Sequence, residues 1–202
     1  MSAATQPLPG LSGIGESQAR LMEAAADAFA DRGFHATTTR DIATRAGLSP
    51  AGVYVHFASK EELLFAISEL GHLAARDMLL DASGTASTPT QALRAMVSVF
   101  SRWHAEHYRV GRIVQFEFAH LSPTHREFVL GWRKEIDGVA QQVLRDGVAT
   151  GEFEVDDVAS TALALMSLCV DVARWYQPGI RRTPEEIGRT NADLTMCMVG
   201  AR

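Results

Sequence analysis

From Glu16 onward, apolar residues recur at helical spacing, and no run alternates strictly enough to predict a strand. Leu21, Ala25, Ala28 and Phe29 follow i, i+4, i+7, i+8 and form one buried stripe, with Gly33 as the predicted helix end. Two short helices follow. Thr38 opens the first, with Asp41 three residues on as an aspartate version of the capping box. Ile42, Ala43 and Ala46 supply its inner face, and Gly47 stops it. Ser49 caps the second and Pro50 takes its first position, where a missing N–H costs nothing. Val53 and Phe57 lie one turn apart and face inward. Only Gly47 and Leu48 separate these two helices, so they cross steeply, as in a helix-turn-helix.

A longer helix is predicted over residues 59–81, with Leu63, Ile67, Leu70 and Ala74 as its stripe. Residues 83–89 read as a linker of small residues. Further helices are expected over 90–108, 112–120, 123–150, 156–176 and 184–199. Ser122-Pro123 and Thr183-Pro184-Glu185-Glu186 mark starts, and Gly151 and Pro178-Gly179 mark breaks. The expected fold class is all-α. It comprises a disordered tail over 1–15, a three-helix helix-turn-helix domain over 16–64, and a larger helical domain over 65–202.

Composition narrows the function. With 202 residues, 47% hydrophobic and 21% charged, the chain is globular in type. Two cysteines, Cys169 and Cys197, exclude a disulfide scaffold and a four-cysteine zinc site. Residues 1–15 lack a basic patch followed by an apolar run, so no secretory signal is expected. The apolar stretch at 162–170 is short of the roughly 20 residues that span a bilayer, so a cytoplasmic protein without a membrane partner is expected. A net charge of -5 argues against nucleic acid, unless the cations are placed locally. Between residues 36 and 60, Arg40, Arg45 and Lys60 stand against Asp41 alone.

That local placement is the informative feature. Residues 33–64 read GFHATTTRDIATRAGLSPAGVYVHFASKEELL. The second short helix has a small leading end, Pro50, Ala51 and Gly52, which can approach base edges closely. Tyr54 and His56 follow on its outer side, with Lys60 beyond. Thr37, Thr38, Thr39 and Arg40 stand at the start of the preceding helix. Hydroxyls, a helix N-terminus, an imidazole and an ammonium are the groups that hold phosphate oxygens. Arg40 has the geometry to pair with a guanine edge instead. Each residue also has a plain structural role open to it: Tyr54 as half-buried packing, Thr38 as a cap, Lys60-Glu61-Glu62 as a charged first turn.

The run closely resembles the DNA-binding domain of the TetR family of bacterial transcriptional repressors. The resemblance rests on Thr38-Thr39-Arg40-Asp41-Ile42-Ala43, Ala46-Gly47-Leu48-Ser49, Gly52-Val53-Tyr54, His56-Phe57 and Ser59-Lys60-Glu61-Glu62-Leu63. It implies an all-helical homodimer that reads a palindromic double-stranded DNA operator and is released by a small molecule. It further implies phosphate contacts from Thr38, Thr39, Tyr54, His56 and Lys60. Arg40, Ala51, Gly52 and Val55 would face bases, with Ser49 and Pro50 at the same edge.

The C-terminal part is similar to TetR-type regulators of lipid and steroid catabolism over Phe116–Glu152 and in Arg174-Trp175-Tyr176-Gln177-Pro178-Gly179 with Thr183-Pro184-Glu185-Glu186. That likeness implies a hydrophobic effector, an acyl-CoA thioester. Phe100, Trp103, Phe116, Phe118 and Leu121 are candidates for an apolar slot, or simply for core. Arg109, Arg112, Arg133 and Arg174 are candidates for phosphates, or for salt bridges with Asp171 and Glu117. His107, His120 and Trp175 complete the candidate ligand set. His104 and His107 at i, i+3 are compatible with a metal, but no third ligand is fixed and no metal is expected. No nucleophile elbow, P-loop or dinucleotide fingerprint occurs, so neither enzyme activity nor a cofactor is expected. A lipid-sensing module that does not touch DNA is the remaining alternative. Residues 161–170 are apolar nearly all round and, with Leu194, Met196, Met198 and Val199, read as a homodimer interface through the last two helices.

Overall fold

The computed structural model describes residues 7–201. Ten α-helices and one 3₁₀ turn make up its regular structure, with no strand among the described residues. They are α1 (Glu16–Ala36), α2 (Thr39–Ala46), α3 (Pro50–His56), α4 (Lys60–Gly84), α5 (Pro89–Glu106), α6 (Tyr108–Phe116), a 3₁₀ turn (Phe118–His120), α7 (Pro123–Thr150), α8 (Val158–Val170), α9 (Val172–Trp175) and α10 (Pro184–Met198). The chain forms two compact units. The first holds the residues through Ala74 together with Arg109–Leu130. The second holds Ala75–Tyr108 and everything from Gly131 onward.

In the first unit the expected stripes become core. Leu21, Ala25, Ala28, Phe29, Ile42, Ala43, Ala46, Val53 and Phe57 are all buried, as are Leu63, Leu64 and Ile67 of α4. The caps follow the sequence. The Thr38 hydroxyl accepts the Asp41 N–H while Asp41 accepts the Thr38 N–H, and Gly47 closes α2 in the left-handed conformation at φ 67°. Gly33, as expected, stops the regular helix: at φ 77° and ψ 166° it is non-helical, and a short second stretch resumes beyond this bend and runs to Ala36. Only glycine takes that conformation without strain. Part of the expected tail is also structured. Leu8 is buried and Gly10, at φ 75°, sits against the Leu70 side chain. The first six residues of that tail lie outside the described residues.

The second unit packs α5 against α8, α9 and α10. Its core joins Leu79, Leu93, Met96, Val97, Phe100, Ala140, Leu144, Leu165, Cys169, Met196 and Val199. The helices approach closely. A Cβ on Gly188 of α10 would fall 2.4 Å from the Ser98 carbonyl of α5. Two expected helices are interrupted: the one over 112–120 becomes α6 and the 3₁₀ turn, and the one over 156–176 breaks at Asp171. The 18-residue window Val158–Trp175 passes for a membrane span by length and composition only, and the break at Asp171 divides it. It sends Ala162, Leu165 and Cys169 into the unit's core while Leu163 stays 66% exposed. Leu165, Met196 and Val199 therefore belong to the subunit's own core and not to an outer interface. The exposed apolar side chains on these helices are Leu163, Leu194 and Met198. Cys169 is fully buried, which pushes its thiol up to about 12, whereas Cys197 is exposed.

Candidate nucleic-acid interface

The outer surface of α2 and α3 exists because their inner surface is fully used. Val53 is 0% exposed, whereas Tyr54 is 57% and Val55 78% exposed on the same short helix. Ser49 caps α3 by accepting the Gly52 N–H at 3.1 Å, so its hydroxyl is engaged within the fold. Pro50, Ala51 and His56 are exposed and Gly52 is half-buried. The Tyr54 hydroxyl lies 3.3 Å from the Thr39 hydroxyl, which ties the start of α2 to the face of α3. Thr38 and Arg40 are exposed beside them. The Asp41 carboxyl is held below its ordinary range, first by the Thr38 hydroxyl, then by the Thr38 N–H and by Arg32 and Arg40.

Local charge is more committed than the sequence implies. Arg45 pairs with Asp31 at 3.0 Å and Arg32 with Asp41 at 3.5 Å. Arg20 donates to the Ala46 carbonyl at the end of α2. Lys60, expected at a phosphate, turns inward. Its ammonium donates to the carbonyls of Phe34 at 2.5 Å and Thr37 at 2.7 Å, and lies 4.1 Å from the centroid of the Phe34 ring. Burial pushes its pKa below the ordinary lysine range, while Glu117 acts in the opposite direction. The reason is geometric. The last carbonyls of a helix lack intrahelical donors, and a cation at the start of α4 reaches them. The surface left facing outward is Thr38, Thr39, Arg40, Pro50, Ala51, Tyr54, Val55 and His56.

The candidate ligand residues fall in both units. In the second, Phe100 is a core residue at 3% exposure, with His104 edge-on to its ring. Trp103 packs near His107 with ring centroids 5.1 Å apart, and burial lowers the His107 pKa. His104 is buried, with Nδ1 2.9 Å from the Phe100 carbonyl one turn back in α5. Arg133 is half-buried, and desolvation lowers its pKa. Arg174 is exposed and donates twice to Asp171, at 2.5 and 2.8 Å, beside the partly exposed Trp175. In the first unit Arg112 is half-buried and Phe116 is 61% exposed. His120 lies 3.3 Å from Glu117. Thus the structure brings Trp103 and His107 together, pairs Arg174 with Asp171, and assigns Phe100 to core. Sequence spacing gave no sign of a groove of about 680 Å³ in the second unit. Leu80, Arg76, Glu135, Val139, Gln142 and Asp146 are among its walls, and none of the candidate ligand residues is. Nor did spacing show the bonds of Glu61 of α4 to the Ser122 N–H and the His125 imidazole, at 2.7 and 2.8 Å.

Residues 21–67 match the family described as bacterial regulatory proteins, tetR family, and residues 86–199 match the tetracyclin repressor-like C-terminal domain. The chain is 34% identical over 176 residues to the HTH-type transcriptional repressor KstR2 of Mycolicibacterium smegmatis, covering 84% of this chain and 83% of that one. A tetR-family regulatory protein from Rhodococcus RHA1 superposes with a TM-score of 0.88 at 33% identity, over 93% of this chain and 99% of that one. The ketosteroid transcriptional regulator KstR2 of Mycobacterium tuberculosis gives 0.87 at 26% identity, over 96% and 99%. These relatives are transcriptional regulators and not enzymes. A chain with a helix-turn-helix that turns a polar edge outward, matched over residues 21–67 and 86–199, is a member of the TetR family of bacterial transcriptional regulators.

Proposed function

We propose that this regulator is a repressor that works in the cytoplasm, binds a palindromic operator as a homodimer, and is released by a small hydrophobic effector of the acyl-CoA thioester class. The observation that carries the DNA half is the exposed edge of Tyr54, Arg40 and His56, with the half-buried Thr39 beside them, over a buried Val53. The repressor sense is supported by the name of the relative from M. smegmatis. The homodimer is supported by the exposed apolar faces of α8 and α10, with Leu163, Leu194 and Met198. An isologous contact there gives the twofold that a palindrome demands. The assignment of DNA binding to residues 16–64 and of effector binding and dimerisation to residues 65–202 belongs to this proposal as well.

Release is a population shift. The effector binds the DNA-incompetent arrangement better than the competent one, and α4, one continuous helix, carries the change. For the effector, the half-buried Arg133 offers a cation to phosphate, and Trp103 with His107 offers ring surface. The test is a gel shift at low salt with duplexes selected from a random pool by the protein itself. Retardation should be lost with rising salt and on adding a long-chain acyl-CoA. Absence of any selected duplex would overturn the DNA half. Retardation indifferent to acyl-CoA, with nothing of that mass co-purifying by native mass spectrometry, would overturn the effector half.

A further inference from the structure

At the corner where α1 ends, several segments of the first unit converge on five residues of backbone. The Phe34 N–H, just past the bend at Gly33, donates to Glu117 Oε1 at 3.2 Å. The Phe34 and Thr37 carbonyls accept from Lys60. The buried Thr37 hydroxyl lies within hydrogen-bond distance of the carbonyls of Ala28, at 3.1 Å, and Gly33, at 2.9 Å. The Phe34 ring is covered by the Lys60 ammonium and is stacked on the His120 imidazole, with centroids 5.1 Å apart and planes at 9°. His120 Nε2 in turn lies 3.3 Å from Glu117 Oε2, and the His35 ring meets His120 edge-on at 4.2 Å.

This backbone needs outside partners. A helix bent by a left-handed glycine no longer supplies a regular acceptor to the amide just past the bend, and a buried amide without an acceptor is costly. Glu117 is the acceptor. A Cβ added at Gly33 would lie 3.5 Å from the same Oε1, so the carboxylate is seated against the bend itself. The residues that follow are Thr37, then the cap of α2 at Thr38, then Thr39 with its contact to Tyr54. A shift at Phe34 therefore has only four residues of backbone to travel before it reaches Thr38 and the polar edge.

We propose that Glu117, between α6 and the 3₁₀ turn, is a positioning residue for DNA binding. By accepting the Phe34 N–H it fixes the bend at Gly33, and through it the placement of Thr38, Thr39 and Tyr54. His120 holds the other carboxylate oxygen. The inference rests on the DNA-binding role of the α2–α3 edge but adds a residue that lies outside the helix-turn-helix in sequence.

The experiment compares Glu117→Ala and Glu117→Gln for binding to duplexes selected by the wild-type protein, read by fluorescence anisotropy, with amide exchange at Phe34 as a second readout. Glu117→Ala should lose at least tenfold in affinity and exchange the Phe34 amide faster. Glu117→Gln keeps a carbonyl acceptor and should stay within threefold of wild type. Wild-type affinity in Glu117→Ala overturns the proposal. So does Glu117→Gln binding as weakly as Glu117→Ala, since the acceptor is then not what matters. If Glu117→Ala fails to fold by circular dichroism, Glu117→Asp, one methylene shorter, should show the same loss. If the wild type enriches no duplex, the DNA reading fails. Exchange at Phe34 then still decides the clamp, and an unchanged rate overturns it.

Discussion

Single residues carry opposite duties on the two sides of one turn of α3. Val53 is sealed in the core, and Tyr54, the next residue, stands 57% exposed with its hydroxyl beside Thr39. Removing that hydroxyl in Tyr54→Phe should weaken binding by a similar factor on all duplexes, as expected for a phosphate contact. Arg40→Ala should instead cost ~1–3 kcal/mol on the preferred sequence and little on others, if the guanidinium pairs with a guanine. Competition anisotropy with paired duplexes separates the two. Lys60 tests a different quantity. Because its ammonium caps α1, Lys60→Met should lower thermal stability by about 1–3 kcal/mol, the usual worth of charge-assisted hydrogen bonds. The sequence placed Lys60 just after α3 but did not give its direction. Spacing along a chain says which side chains share a helix face, whereas carbonyls 23 and 26 residues upstream enter only through folding.

At the scale of elements, the caps were the most legible feature. Thr38 with Asp41, Ser49 with Pro50, and Thr183 with Glu186 all close as their types and intervals require. Gly33 breaks the helix as its type requires, but the short turn that resumes through Ala36 was not legible, because the acceptor for its first amide is Glu117, more than 80 residues away. The α2 cap makes a pH prediction. Its Asp41 carboxyl titrates below the ordinary range in the folded state, so its contribution is complete above the unfolded carboxylate pKa and is lost as pH falls through the lower folded value. Asp41→Asn should therefore reduce the acid dependence of thermal unfolding below about pH 4. A melting curve with the same acid slope as wild type would show that the cap does not stabilise α2.

For the whole molecule, the apolar pattern alone marked the last helices as buried on several sides without saying which residue faces which way. The structure divides the labour within a single turn of α8, with Leu165 at 1% exposure and Leu163 at 66%. Leu163→Glu should leave the subunit folded and monomeric by light scattering. Leu165→Glu should unfold or aggregate it, since an unpaired carboxylate would lie in the core. The ligand region was the least legible part, because pocket and core draw on the same aromatic residues and Phe100 served the latter. The two thiols offer a practical handle on the same surface. Cys169 is sealed and weakly acidic, so an alkylating dye should react at Cys197 alone, on the helix that bears Leu194 and Met198. Slower labelling with rising protein concentration would report subunit pairing in solution without any engineered cysteine.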